Sequence, residues 1–208
     1  MSVLRVFLVA PFLSFIWLLM SVLWAGQLYS EYHHGSQFIS ELAATGTAYG
    51  ALMNYGGFLP TEIFMLVFCF AAFQVLPKSR GNLWGLMLIA AYAISLILAA
   101  VFPCDLGCRP EKPTLSHELH LLFGMGAYAL GLIGIALLFW DLKRWHPNSS
   151  WSFFGLALAV VAAVLLVNFD PENPWVGWVQ RATELTLYSG FTIFAWVVYQ
   201  QKRLEQSA

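Results

Sequence analysis

The chain has 208 residues, 60% of them hydrophobic and only 10% charged, with a net charge of −1 and a mean hydropathy of +0.70. Soluble domains carry about 25% charged residues, so the natural partner of this chain is a lipid bilayer. No basic excess points to nucleic acid, and three cysteines are too few for a disulfide scaffold.

A spanning helix needs about 20 mostly apolar residues. Six stretches qualify, which predicts an all-α polytopic membrane protein: one domain over residues 1–208 with six transmembrane helices in one bundle. The first span covers about 6–25. Its apolar run exceeds the roughly 7–15 residues of a signal-peptide core and no A-x-A site follows, so it reads as an uncleaved span. Residues 26–57 break the pattern. Glu31, His33, His34 and Gly35 form a polar loop. Residues 36–44 read as a short interfacial helix, with Ser36 as N-cap and Phe38, Ile39 and Leu42 on one side. Residues 45–57, rich in small side chains, read as broken helix or a second interfacial segment.

The second span covers about 58–76. Pro60 fits its first turn, where a missing N–H costs nothing, and Glu62 reads as a helix-start residue near the positive end of the dipole. The third span covers 83–102 and stops at Pro103. The fourth, 119–140, carries Gly124, Gly126, Gly131 and Gly134, which predict a closely approaching neighbour. The fifth covers 151–169 and the sixth 180–199. The start of the sixth is blurred by Trp175, Trp178, Gln180, Arg181 and Glu184.

Charge sets the expected topology. With six spans both termini share one side, and that side owns Arg5, Lys78, Arg80, Lys143, Arg144, Lys202 and Arg203. The opposite side owns Arg109, Lys112 and Arg181. The positive-inside rule therefore predicts both termini in the cytoplasm and a multi-pass protein of the cytoplasmic membrane. Most acidic residues and four of the five histidines then fall outside.

The polar loop at residues 102–120 is where chemistry would gather. His117 and His120 share a helix face. H-E-L-H is not the H-E-x-x-H of zinc proteases, and two histidines do not complete a zinc site, which takes three protein ligands. Asp105, Glu41, His33 or His34 could supply the third. The bland alternative is two interfacial histidines bonded to loop carbonyls. Cys104 and Cys108 suit a local disulfide on the oxidising side, with residues 105–107 turning between them, or two free thiols. Arg181 and Glu184 can form an i,i+3 ion pair inside the boundary or snorkel to water. Absent are G-x-S-x-G, the P-loop and the dinucleotide fingerprint.

Several short motifs follow one another in a set order: I-S-E-L at residues 39–42, then Met53-Asn54 with Gly56-Gly57 leading into a span. Val101-Phe102-Pro103-x-Asp105, the His117-x-x-His120 pair and Gly177-x-x-Gln180-Arg181 complete the series. This order of features resembles the domain-of-unknown-function 998 family. The resemblance implies a six-helix integral membrane protein and no settled activity. Fainter is a chemical analogy to membrane hydrolases that hold zinc near one membrane face.

Two functions are expected from this. One is a binding, sensing or accessory protein that takes a small polar or lipid-like ligand at an outer-face cluster of Glu41, Asp105, His117, His120, Arg181 and Glu184. The other is a membrane-embedded hydrolase of a lipid or headgroup, with His117, His120 and Asp105 holding a metal such as zinc and Glu41 as general base.

Overall fold

The computed structural model describes residues 2–146, 148 and 150–207. Among these there is no strand. Six helices order the chain: α1 Val3–Leu28, α2 Gly50–Val75, α3 Arg80–Val101, α4 Leu115–Leu142, α5 Ser150–Leu166 and α6 Val176–Ser207. Helices α1 to α4 are long and apolar enough to cross a membrane. The 17 residues of α5 are apolar but shorter, and the 32 of α6 begin with a polar third. The outer surface is apolar: Phe70 and Phe153 are each 70% exposed, an arrangement lipid tolerates and water does not.

Connections place the helix ends in two groups. The loops after α1 and α3 bond to each other, the first also bonds to the start of α6, and Phe169 after α5 packs on Phe38 of the first; we call this the loop end. Residues 76–79 and 143–146 lie with the start of α1 and the end of α6 at the other. The core between them is aromatic. Phe7 of α1 stacks on Phe68 of α2 at 5.4 Å, Phe139 of α4 meets Phe194 of α6 edge-on at 5.3 Å, and Tyr92 of α3 lies 5.8 Å from Phe191 of α6.

Glycines bring α3 and α4 together. A Cβ at Gly134 would lie 3.0 Å from the Gly85 carbonyl oxygen and 2.7 Å from Ile89, and one at Gly131 would meet Tyr92 at 2.9 Å. Such backbone approach is how small residues pack helices in lipid. Of the four glycines expected to do this, Gly124 and Gly126 do not: a Cβ at either meets nothing within 4 Å.

Two elements differ from the sequence reading. Residues 36–44 form no interfacial amphipathic helix. They hold a 3-10 turn, Ile39–Ala43, with Ile39, Glu41, Leu42 and Ala43 buried. Its N-terminal cap position is Phe38, not Ser36, and the Glu41 carboxylate accepts the Phe38 N–H at 2.9 Å. Second, Pro60 lies within a continuous helix. α2 starts at Gly50 and passes through a π turn, Met53–Phe58, before Leu59. The proline has no N–H for the Gly56 carbonyl, and Trp17 of α1 donates to that oxygen at 2.9 Å instead. A π turn next to a proline lets the helix continue past the missing bond.

Candidate functional site

The loop end is assembled on the first two turns of α6. A Cβ at Gly177 would lie 2.4 Å from the His34 oxygen, 2.5 Å from the Gln37 oxygen and 2.8 Å from Gly35 carbonyl carbon. Only glycine lets that backbone lie so close. Trp178 then donates its N–H to the Gly35 oxygen at 3.1 Å. Gln180 accepts the Ile39 N–H at 2.7 Å. The Arg181 guanidinium donates to the Gln37 oxygen at 3.3 Å, the Tyr32 hydroxyl at 2.6 Å and His34 Nδ1 at 3.0 Å. Arg181 thus turns to the loop and makes no ion pair with Glu184, because fixed loop acceptors lie on its side of the helix.

The loop between α3 and α4 has its own logic. Pro103 has no N–H to give the Ala99 carbonyl, so the end of α3 is left with an orphan acceptor. His120 Nδ1 fills it, 2.8 Å from the Ala99 oxygen and 3.1 Å from the Phe102 oxygen. Two carbonyls can only accept, so Nδ1 is the protonated nitrogen. His117 Nδ1 faces the Asp105 N–H at 3.3 Å and therefore accepts. The Asp105 carboxylate takes the Thr114 N–H at 2.9 Å and its hydroxyl at 2.8 Å. Cys104 and Cys108 lie at disulfide distance, Cα atoms 5.2 Å apart, and Gly107 between them sits at φ 74°, where glycine is favoured. Arg109 donates to the Ser36 oxygen at 3.1 Å and stands 3.8 Å from Glu41.

Beneath these loops lies a cavity of about 480 Å³. Apolar side chains from α1, α2, α3 and α4 make most of its wall, with Glu62, Glu184, Gln180, Tyr128, His117 and His120 as polar lining. One stripe of α4 runs along it: His117, Leu121, Gly124, Met125 and Tyr128, the i, i+4, i+7 spacing of a helix face. The rim mixes two kinds of residue. Arg109 and Pro171 belong to loops, while Leu121 and Met125, 48% and 40% exposed, lie on the outer face of α4.

Glu62 and Glu184 of the lining anchor two buried hydrogen-bonded groups that draw on four helices. Ser14 of α1 donates to the Thr61 oxygen at 2.7 Å and lies 3.4 Å from the Tyr188 hydroxyl. Tyr188 of α6 donates to Glu62 Oε1 at 3.2 Å. Tyr128 of α4 donates to Glu184 Oε1 at 2.5 Å and accepts from Gln180 at 3.1 Å. Glu62 is 3% exposed and Glu184 7%. The second oxygen of each, Oε2, has no hydrogen-bond partner among the described residues. A buried acceptor without a donor costs about 1–3 kcal/mol, more for a charged group.

Outside the helices three groups titrate away from their ordinary values. His34 is lowered by its partial burial and then by the Arg181 guanidinium. Tyr32 is raised because burial outweighs the same guanidinium. Asp105 is lowered by the backbone N–H and hydroxyl of Thr114.

Of the residues singled out from the sequence, the structure brings His117, His120 and Glu184 to one cavity and leaves Glu41, Asp105 and Arg181 outside its lining. Asp105, expected as a third metal ligand, spends its oxygens on Thr114. Glu41, expected as a base, caps a turn. Among the described residues no three His, Cys, Asp or Glu side chains group together as a metal site. Glu62, read as a helix-start residue, is a missed member of the cavity, and so are Tyr128 and Gln180, with Tyr188 bonded to Glu62 behind the lining. The signal for Glu62 was available: an acid inside an apolar helix faces a polar interior by default. The partners of Tyr128 and Tyr188 lie more than fifty residues away, and nothing local announces them.

The sequence profile of the family described as Protein of unknown function (DUF998) matches residues 12–197. The chain belongs to this family. No curated protein and no solved structure matches it. The residues that carried the DUF998 resemblance now have physical jobs at the loop end. Gly177, Gln180 and Arg181 dock the first loop on α6, Glu41 caps its turn, and Asn54 donates to the Ala43 oxygen at 2.9 Å. His120 and Asp105 fix the second loop.

Proposed function

We propose that the chain is a six-span binding protein of the cytoplasmic membrane, with both termini cytoplasmic and the loop end outside, whose loop-end cavity takes a small amphiphilic or lipid-like ligand. The observation that carries this is a cavity of about 480 Å³ lined by Glu62 and Glu184, two buried acids that each keep one oxygen without a donor among the described residues. Cavities of about 300–1,000 Å³ with mostly apolar walls and a few placed polar groups are the usual form of a small-molecule site. His117 and Glu184 belong to the ligand side of the site. His120 contributes its ring to the wall while capping α3. Arg181 holds the first loop in place, and Glu41 with Arg109 ties that loop to the second. Asp105 sets the second loop, and an oxidised Cys104–Cys108 pair fixes its tip. Arg109 stands at the rim. Six spans fit the charge asymmetry, with α5 and α6 crossing beside the four longer apolar helices.

Gly124 gives the test its handle, since a side chain there grows into the cavity with nothing to strike. Protein purified in lipid nanodiscs is extracted and analysed by mass spectrometry, wild type beside Gly124→Phe. A bound amphiphile near one per protein in the wild type, lost from a variant of unchanged helicity, is the expected result. Identical extracts from both proteins would contradict it. Thiol titration should give one free cysteine, Cys69, in the unfolded, unreduced protein, and three would remove the disulfide.

A further inference from the structure

The two unsatisfied oxygens bear on what kind of head the ligand carries. Resting on the binding reading above, we infer that the cavity selects a primary ammonium group borne on an apolar body, held by Glu62 of α2 and Glu184 of α6. Both carboxylates already accept one tyrosine hydroxyl on Oε1, from Tyr188 and Tyr128. On both, Oε2 is buried without a donor among the described residues, and both residues line the same cavity. What this pair lacks is donors and positive charge. An ammonium group supplies three N–H donors and one positive charge, and its bonds to carboxylates are about twice as strong as neutral ones. A hydroxyl brings one donor and no charge. A quaternary ammonium brings the charge and no donor, leaving both oxygens unbonded. A carboxylate or bare phosphate brings more acceptors and repulsion.

The rest of the lining fits an amphiphile entering from the side. The stripe Leu121, Gly124 and Met125 leads from the acids to the exposed face of α4. Gly124 leaves that path open, with nothing within 4 Å of where its Cβ would stand. An apolar body can therefore lie along α4 towards lipid while its head reaches the acids. Arg109 at the rim and the nearby imidazoles add a place for a phosphate if the amine is part of a phospholipid headgroup.

The test compares heads on one tail. Purified full-length protein in dodecyl maltoside is titrated with dodecylamine, dodecanol and dodecanoate, and thermal unfolding is followed. Dodecylamine should stabilise the protein at concentrations at least about tenfold below the other two. Glu62→Gln and Glu184→Gln, which keep shape, should each weaken the amine by about tenfold or more and leave the alcohol unchanged. A second arm uses nanodiscs of phosphatidylcholine doped with phosphatidylethanolamine or phosphatidylglycerol. Selective retention of phosphatidylethanolamine by the wild type and its loss in the Gln variants assigns the ammonium to a lipid. Amine binding without that retention assigns it to a free amphiphilic amine. If the three dodecyl compounds bind alike, all are blocked by Gly124→Phe, and the Gln variants bind as wild type, the ammonium assignment is overturned while the cavity reading stands. If none of the compounds binds to the wild type and no lipid is retained, both fall.

Discussion

Two buried acid sites, at opposite ends of the bundle, differ in what they leave undone. At the terminus end Asp141 is 2% exposed. Ser79 donates to its Oδ2 at 2.5 Å, and Arg144 stands 3.3 Å from Oδ1. Gly81 lies so near that a Cβ there would come within 2.4 Å of the carboxylate. Both oxygens are engaged and no space surrounds them, so this acid locks the start of α3 to the end of α4. At the loop end Glu62 and Glu184 are almost as buried and line a cavity, yet each keeps an oxygen without a donor among the described residues. Burial is the same in kind and satisfaction is not. A buried acid with every oxygen engaged is a structural lock, and an acid beside a cavity with an oxygen left unsatisfied has the binding role we propose.

That comparison can be broken by substitution. The largest effect is expected from Gly177→Ala, where three backbone atoms within 2.8 Å of the new Cβ cannot move aside. It should cost about 3 kcal/mol and release the first loop, seen as lost hydrogen-exchange protection at Ile39, whose N–H Gln180 now accepts. Asp141→Ala comes next, at about 2 kcal/mol in thermal unfolding, because Ser79 and Arg144 lose their acceptor. Glu62→Gln and Glu184→Gln should change stability by less than about 1 kcal/mol, in the stabilising direction if at all, since each removes a buried group that the protein itself leaves half-satisfied. A loss at either as large as that at Asp141 would erase the distinction between the two ends.

The smallest effect is a pH response at the loop end. His34 has a folded-state pKa below its unfolded value, so the neutral ring favours the docked loop. That contribution is full above the unfolded value of about 6.5 and is lost as pH falls through the lowered folded value. Acidification from pH 7.5 to 5 should lower the amide-exchange protection factors of residues 32–38, corrected for the intrinsic pH dependence of exchange, and leave those of the Ser79–Asp141 region unchanged. His34→Gln should abolish the difference. Asp105 acts in the same direction at lower pH: the stability it gives is present above about 3.9 and lost on further acidification.

The helices were legible because apolar run length states them directly. Their loop-end starts were not. Pro60 signals a helix start in isolation, and the π turn before it together with the Trp17 bond from another helix lets the chain stay helical there. His117 and His120 were legible as a pair on one face, and the jobs they do were not. His120 caps α3 because Pro103, seventeen residues earlier, leaves a carbonyl free, which a spacing argument that looks for metal ligands passes over. Arg181 and Glu184 look like an ion pair in sequence. In space one faces the loop and the other the cavity, since Tyr32, His34 and Tyr128 compete for them. The carboxylate pair itself joins positions 62 and 184, a separation no local pattern spans.

The most direct measurement reads the acids themselves. Protein carrying ¹³C at aspartate and glutamate side-chain carboxyls is placed in nanodiscs, and the resonances of Glu62, Glu184 and Asp141 are assigned by their Gln and Asn variants. Dodecylamine is then added. The expected result is that Glu62 and Glu184 shift together and saturably while Asp141 stays still. Shifts confined to other carboxyls, or none at all, would contradict the claim that the loop-end acids are a binding site.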